Sequence, residues 1–424
     1  MSGITKLVQH AVLPPMVRLR QNFPHTEMSE EQVLQSLREQ LAAPELMRRV
    51  RPGQRICLTA GSRGLDSLTA VLRYLAGWVR ERGAEPFVVP AMGSHGGATD
   101  EGQRAILTGL GITEESVGCP ILSSMETVPI ARCGGEEVHL DRNAWQADGI
   151  IAVNRVKAHT SFQGPYESGL MKILTIGLGK QHGAYICHAG GDDEMSARIG
   201  RMGRAIIDKA NVVLGVALLE NAYEKTFRIA AMPGPAIPRE EPGLLKEAKA
   251  AMGKLPFDTC DVLIVQCLGK DYSGAGMDPN VTGRCVNPKL RMGIEAQRVG
   301  ILDLSDASHG NATGMGRADL APRRFYEKID FDQTYPNFVT SYSPRAFLMP
   351  IIVDNDREVI QTALASSLGI DRDNPRIVLI RNSLEIEEIL ISQAMVDEVR
   401  PPAEIVGEPF PLAFDPAGNL LTQI

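Results

Sequence analysis

The segment from Arg155 to Gly191 concentrates side chains that can do acid–base or metal chemistry. It holds three of the chain's eight histidines, two central lysines and seven glycines. Nitrogen bases are costly to desolvate without a partner, so their gathering among glycine and aliphatic residues indicates a site. Imidazole can take and return a proton near neutral pH, and neutral imidazole is a common transition-metal ligand. The segment therefore predicts proton transfer, metal binding or both.

A further histidine, His95, stands between Ser94 and Gly96, where no apolar periodicity explains it. The flanking glycines would let a ligand approach the backbone closely. With His159 it would give the two bases that inversion of a stereocentre needs, one on each face of the carbon. A structural loop role for both histidines is the alternative interpretation.

Lys172 lies between Met171 and Ile173, so its ammonium either reaches solvent or is buried with a lowered pKa. A buried neutral amine is the form that makes covalent adducts. His188 follows sixteen positions later in a glycine-rich turn. Either His188 or His182 could hold Ni²⁺, Zn²⁺ or Fe²⁺.

Strands alternating with helices must position these residues. Arg63, His95 and His159 each follow a predicted strand, and ligands bind at that edge of open α/β sheets. The predicted strands are 56–59, 86–90, 148–156 and 212–219, then 261–268, 299–304, 350–353 and 376–381. The main predicted helices are 33–47, 65–82, 194–209, 357–368 and 383–398. The pattern predicts two α/β domains with mostly parallel sheets and an active-site cleft between them.

The expected domains are residues 1–255, a smaller domain of residues 256–400, and a tail of residues 401–424 that packs back on one of them. A proline-rich stretch near residues 232–258 marks the expected boundary.

An apolar fraction of 44% and a net charge of −7 argue against nucleic acid as a partner. No window has the length and apolarity of a membrane helix, and a cytoplasmic protein is expected. The seven cysteines contain no Cys-x-x-Cys pair, which argues against a zinc knuckle or a disulfide framework.

Gly93-Ser-His95 followed by Thr99-Asp-Glu101, and then His159, Lys172 and His188 in that order, resembles the nickel-dependent lactate racemase family. The similarity covers the first domain. It implies a nickel-pincer nucleotide (pyridinium-3-thioamide-5-thiocarboxylic acid mononucleotide), covalently bound to Lys172, with His188 as the protein ligand of nickel. It also implies maturation enzymes that supply the cofactor.

By the same resemblance, His95 and His159 are the alternating general bases on the substrate hydroxyl, while hydride passes to the cofactor and back. Arg63 would face the substrate carboxylate, where a planar guanidinium fork gives bidentate pairing. The chain has Ala60-Gly61-Ser62 where the family commonly shows an acid, a histidine and a threonine. Ser62 is assigned to the cofactor contacts, and Lys180, in Gly177-Leu-Gly179-Lys-Gln-His-Gly183, is predicted to balance the nucleotide phosphate.

Polar loops of the second domain are predicted to line the substrate side of the cleft. Their polarity favours a sugar acid or a dicarboxylic hydroxyacid over lactate. The residues concerned are Lys270, Asp271, Asn280, Arg284 and His309.

The sequence therefore predicts a racemase or epimerase of a 2-hydroxy acid. Two alternatives stay open: a zinc-dependent hydrolase whose ligands are His95, His159 and His188, and a hydroxyacid-binding homologue without catalysis. NAD is discounted, because the glycine spacing near residue 177 does not fit a dinucleotide loop.

Overall fold

The computed structural model of the chain describes residues 3–341 and 343–424. The chain forms two compact units. The central unit is His25–Met252, and the terminal unit combines Met1–Pro24 with Gly253–Ile424. The division near residue 252 lies inside the proline-rich stretch identified from the sequence. The amino-terminal residues differ from the expectation of a domain over residues 1–255, because they belong with the carboxyl-terminal half of the chain.

The strands of the described residues, numbered in chain order, are β1 Met16–Arg20, β2 Arg55–Ala60, β3 Glu85–Pro90, β4 Thr127–Cys133, β5 Glu136–Asp141, β6 Gly149–Arg155, β7 Val212–Glu220, β8 Thr226–Pro233, β9 Thr259–Leu268, β10 Glu295–Leu304, β11 Leu320–Pro322, β12 Ile351–Val353, β13 Ile377–Ile380, β14 Glu388–Ser392 and β15 Glu404–Phe410.

The α-helices are α1 Gly3–Val8, α2 Glu30–Leu41, α3 Pro44–Met47, α4 Leu68–Arg80, α5 Asp100–Gly109, α6 Glu114–Val117, α7 Arg142–Trp145, α8 Leu170–Lys172, α9 Lys180–Ala189, α10 Gly191–Lys209, α11 Ile237–Ala251, α12 Pro279–Thr282, α13 Arg323–Glu327, α14 Phe331–Ser341 and α15 Asp356–Ser366. One turn of π-helix, Ile173–Gly177, joins α8 to the segment before α9.

The central unit is built on a sheet of order β3-β2-β6-β7-β8. Its first four strands are parallel, and β8 pairs antiparallel with β7. All nine residues of β7 are buried, which is typical of a strand covered on both faces. Helix α2 begins at the capping box predicted from the sequence, with the Ser29 hydroxyl accepting from the Gln32 amide and the Gln32 side chain accepting from the Ser29 amide.

The terminal unit is built on a sheet of order β12-β11-β10-β9-β13-β14-β1-β15. Strands β12 to β13 along this order are parallel, and β14, β1 and β15 add antiparallel strands at one side. The tail packs back here through β15, which pairs with β1. Both of these sheets are mostly parallel and carry helices, and β4 and β5 form a separate two-stranded antiparallel sheet, so the predicted α/β fold class is confirmed.

One local prediction is wrong. Residues 383–398, expected as a helix, form β14 and a 3₁₀ segment, because Ile389, Leu390 and Ile391 are a continuous buried run that joins the sheet between β13 and β1. Much of the proline-rich stretch is helix α11, which has Pro238 in its first turn, where a missing amide costs little, and Pro242 inside. No helix among the described residues has the length and apolarity needed to cross a bilayer.

Candidate active site

The carboxyl edge of the central unit's sheet collects most of the chemistry predicted for this half of the chain. Arg63 follows β2, His95 follows β3 and His159 follows β6. Since these strands are neighbours and parallel, their carboxyl ends lie at one edge of the sheet. This edge is called the basic edge below, for Arg63, His95, His159, Lys172 and His188.

Lys172 ends the short helix α8, and the chain continues directly into the π-helical turn. Such turns are frequent at functional sites. The amino end of α8 is held by a buried carboxylate, because the Met171 amide donates to Glu241 Oε2 at 2.8 Å. Burial raises the pKa of Glu241 to about 7, and its hydrogen bonds from the backbone amides oppose that rise. The position of Lys172 is therefore fixed from α11.

The nitrogen bases of this edge influence one another electrostatically. Burial, and then the charge of Arg63, lower the pKa of Lys172 to about 8. Burial, and then the charge of Lys172, lower the pKa of His188 to about 4. Desolvation, followed by the charge of Arg155, also lowers the pKa of Arg63. Near neutrality the structure thus offers a neutral imidazole at His188 and an amine at Lys172 that is partly uncharged.

His159 is held in a defined orientation by its own loop. Its backbone amide donates to Glu167 Oε2 at 2.7 Å, and its Nδ1 accepts from the Ser161 amide at 3.1 Å. The ring stacks on Phe162 with centroids 4.0 Å apart. Lys172 Nζ is 5.9 Å from the centroid of the same phenyl ring, so Phe162 brings His159 and Lys172 together. Because Nδ1 accepts, the neutral imidazole carries its proton on Nε2.

His95 is held in the opposite tautomer. Its Nδ1 lies 2.7 Å from the carbonyl oxygen of Met92, which can only accept, so Nδ1 carries the proton and Nε2 the lone pair. The loop before it requires a glycine, since Gly93 has φ +63° and a Cβ there would lie 3.2 Å from Ile176 Cγ2. The Gly93 amide donates to the carbonyl of Gly177 at 3.2 Å, which joins this loop to the turn after Lys172.

Lys180 does not occupy the position predicted for a phosphate contact. It has no exposed surface, and its ammonium donates to the carbonyl of Pro90 and to Gln103 Oε1, the latter at 3.0 Å. Asp141 Oδ2 lies 3.3 Å away and completes a buried ion pair. The glycines near it are also packed against protein: a Cβ at Gly179 would lie 2.1 Å from the carbonyl oxygen of Thr175. An ammonium with three protein acceptors has no place for a phosphate.

His182 lies apart from the basic edge. It is exposed and stacks on His139, with centroids 4.7 Å apart. Within residues 3–341 and 343–424, no group of three or more His, Cys, Asp or Glu side chains is arranged to hold a metal. Ser62 is half-buried, and its assignment to the cofactor contacts stays a prediction.

Two predicted substrate residues of the terminal unit lie in a loop after β9. The Lys270 amide donates to Ser308 Oγ at 2.9 Å, and its ammonium donates to Asn337 Oδ1. Asp271 accepts from Ser305 Oγ at 2.5 Å. The loops after the adjacent strands β9 and β10 therefore meet, as parallel neighbours predict.

The other terminal-unit residues make mainly structural contacts. Arg284 is paired with Asp319 at 2.7 Å and also donates to the carbonyls of Ala296 and Gln297. The backbone amide and the side-chain amide of Asn280 both donate to Asp278 Oδ1, at the start of α12. His309 is exposed, with φ +48° at the end of a 3₁₀ turn. For Arg284 and Asn280 the structure gives a role in holding loops, which differs from the predicted substrate contact.

Three residues that organise the basic edge were not predicted from the sequence: Phe162, Glu167 and Glu241. Glu167 is fully buried and accepts from Lys249 Nζ at 2.6 Å and from the Gly164 amide at 3.0 Å, besides the His159 amide. Its place inside the glycine-rich segment was a usable signal, since a lone acid among apolar residues needs partners. Glu241 had no local signal, because its partner at Met171 is 70 positions away.

Comparison with known proteins agrees with this architecture. A family model described as a domain of unknown function (DUF362) matches residues 65–232, which include His95, His159, Lys172 and His188 but begin just after Arg63. No curated protein matches. Among solved structures, the chain is similar to the lactate racemase apoprotein from Thermoanaerobacterium thermosaccharolyticum, with 13% sequence identity, a TM-score of 0.54, and coverage of 87% of this chain and 98% of that one. At this identity the similarity shows a shared α/β fold.

Proposed function

We propose that this chain is a racemase or epimerase of a 2-hydroxy acid that carries a nickel-pincer nucleotide on Lys172. The observation that carries the proposal is the joint depression of the Lys172 and His188 pKa values at an edge that also holds Arg63 and two histidines in opposite tautomers. The similarity to a lactate racemase apoprotein supports it through the fold.

The residues present fit the proposed cofactor. A lysine whose pKa is about 8 has a substantial neutral fraction at physiological pH, as covalent attachment requires. An imidazole whose pKa is about 4 is neutral and can serve as a nickel ligand. One histidine is enough for such a site, because the pincer itself would supply the remaining donors. When bound, the cofactor supplies an acceptor and donor of hydride at the substrate carbinol carbon.

The two histidines would move the hydroxyl proton. His95, with its lone pair on Nε2, is prepared to take a proton, and His159, with a proton on Nε2, is prepared to give one. Loss of the hydroxyl proton and of hydride leaves a planar keto acid, and return of both from the other side inverts the centre. After one turnover the protonation states of the two histidines are exchanged, so the reverse reaction uses them in reverse order.

Arg63 would hold the substrate carboxylate. Arg63 keeps solvent-exposed surface even though the protein atoms around its guanidinium desolvate it and lower its pKa, while the nearby Arg155 forms an ion pair with Glu220 at 2.5 Å. Arg155 is thereby committed to the protein, which leaves Arg63 as the guanidinium suited to a bidentate carboxylate contact. That Lys270, Asp271 and His309 contribute to a cleft between the domains, and that the substrate is a sugar acid or a dicarboxylic hydroxyacid, stay predictions from the sequence.

The test is production of the protein together with cofactor maturation enzymes, followed by intact mass and metal analysis. We expect a mass increase located at Lys172 and stoichiometric nickel. An unmodified Lys172 without nickel would refute the mechanism. Racemisation assays over lactate, sugar acids and dicarboxylic hydroxyacids would then identify the substrate.

The proposed reaction differs from its two alternatives in what it does to the hydrogen on the carbinol carbon. The proposed reaction moves a deuterium at this carbon without exchange into water, whereas a non-catalytic binding homologue leaves the substrate unchanged. A zinc hydrolase would need His95, His159 and His188 as a ligand set, and the described residues contain no such cluster. Neither alternative would transfer a deuterium label at the carbinol carbon, so the assay separates both from the proposed reaction.

A further inference from the structure

A buried polar network joins the loop of His95 to the helix of His188. Its centre is Lys180, the first residue of α9, whose ammonium contacts Pro90 at the end of β3, Gln103 on α5 and Asp141 at the end of β5. Lys180, Gln103 and Asp141 each have no exposed surface. A buried lysine in such a place needs all its acceptors, so these elements are held at fixed separations.

The ammonium also decides the orientation of the Gln103 amide. Because Lys180 can only donate, the group that faces it must be the amide oxygen of Gln103, at 3.0 Å. The amide nitrogen then points to the other side, where Gln103 Nε2 donates to the carbonyl of Gly93 at 2.8 Å and to that of His95 at 3.4 Å. By fixing the orientation of the Gln103 amide, the charge on Lys180 thus directs two hydrogen bonds to the backbone of the His95 loop.

We propose that Lys180 and Gln103 are positioning residues that fix the direction and tautomer of His95 relative to α9, rather than contacts of a cofactor phosphate. The loop carbonyls of Met92, Gly93 and His95 define where the imidazole sits. Two of them are held by Gln103, and the third receives the proton of His95 Nδ1. The catalytic part of this inference rests on the proposed function, whereas the tautomer part concerns the apoprotein alone.

The first test is nitrogen NMR of the apoprotein with ¹⁵N-labelled histidine, with the His95 signals assigned from a His95→Gln variant. Wild type should show His95 in the Nδ1–H tautomer. Gln103→Met removes the two bonds to the loop while keeping the side-chain length, and we expect His95 to become a mixture of tautomers. Gln40→Met is the matched control, because Gln40 also bridges two backbone groups, at Ile229 and Ala231, in a different part of the central unit. It should leave the His95 signals unchanged.

The second test uses the cofactor-loaded enzyme. Gln103→Met should lower kcat per bound nickel by about tenfold to a hundredfold, the scale expected for a displaced base, with KM changed less than about twofold. The pH dependence of kcat should shift with it, which a loss of folded protein would not produce. Unchanged tautomers together with an unchanged kcat per nickel would overturn the positioning role. Wild-type protein that takes up no nickel and racemises no hydroxy acid, yet shows the expected tautomers, would instead refute the proposed function.

Discussion

The two sheets present carboxyl edges of opposite character. At the basic edge of the central unit, Lys172 and His188 are desolvated and their pKa values fall to about 8 and about 4. At the carboxyl edge of the terminal unit's sheet, Asp271 accepts from Ser305 Oγ and the Lys270 ammonium donates to Asn337 Oδ1. Desolvated bases that lower one another's pKa are typical of a reactive site, and mutually satisfied polar groups are typical of loop structure. The polarity of a loop therefore does not by itself distinguish a reactive site from a structural loop.

The largest effect is expected from a substitution of Lys172, the most reactive group of the basic edge. Lys172→Arg keeps a cation but removes the primary amine, so the covalent mass increase should disappear and racemisation should fall by about a thousandfold or more, to background. Intact mass and nickel content measure the loss. Lys209→Arg, at the exposed end of α10, is the control and should load normally. Full cofactor loading of Lys172→Arg would show that the cofactor is attached to another residue.

A matched pair of arginine variants compares the basic edge with a structural arginine of the terminal unit, Arg284, which lies at the amino ends of β10 and β11. Arg63→Met should raise KM for the hydroxy acid more than about tenfold, because a charge-assisted bidentate contact is lost. Arg284→Met should leave KM within about twofold and lower the free energy of unfolding by about 2 kcal/mol, because it removes an ion pair and two carbonyl contacts. Steady-state kinetics and denaturant unfolding give both quantities. A raised KM with unchanged stability in Arg284→Met would restore its predicted substrate role.

Glu167 tests whether the basic edge depends on a buried anchor. Glu167→Gln presents an amide nitrogen to groups that can only donate, and we expect about 3 kcal/mol less stability together with a lower kcat through His159. Lys249→Met is the graded control, because it keeps both backbone contacts of Glu167 and should cost only about 1 kcal/mol. Equal losses in both variants would mean that the ion pair, and not the hold on the His159 loop, carries the effect.

The prediction with the smallest effect at neutral pH is a pH dependence of stability from His188. In the unfolded chain this imidazole binds a proton near its ordinary pKa of 6.5, whereas the folded apoprotein resists protonation until about pH 4. The unfolded state therefore binds more protons between these values, and stability falls as the pH falls from 6.5 towards 4. His188→Gln should flatten this part of the profile of unfolding free energy. An unchanged slope would show that His188 is protonated normally in the folded protein.

Much of the fold was accessible from local patterns. The alternation of strands and helices gave the α/β class, and the capping box at Ser29 gave the start of α2, because both depend on residues close in sequence. The prediction for residues 383–398 was wrong because the apolar spacing there fits a helix as well as a strand. Only pairing with β13 and β1 selects the strand, and those partners are remote in the chain.

The order of His95, His159, Lys172 and His188 can be read from the sequence by itself. So can the places of His95 and His159 after strand ends, because parallel neighbouring strands bring their carboxyl ends to one edge. Tertiary structure alone decided which charges are committed to the fold. Lys180 and Lys172 both stand among glycine and aliphatic residues, yet Lys180 is neutralised by Asp141 and bound by groups 77 and 90 positions away. Lys172 instead lies beside Arg63 and His188. Whether a buried amine is structural or reactive depends on partners that are remote in the chain. The residues next to the lysine in the sequence therefore do not predict its role.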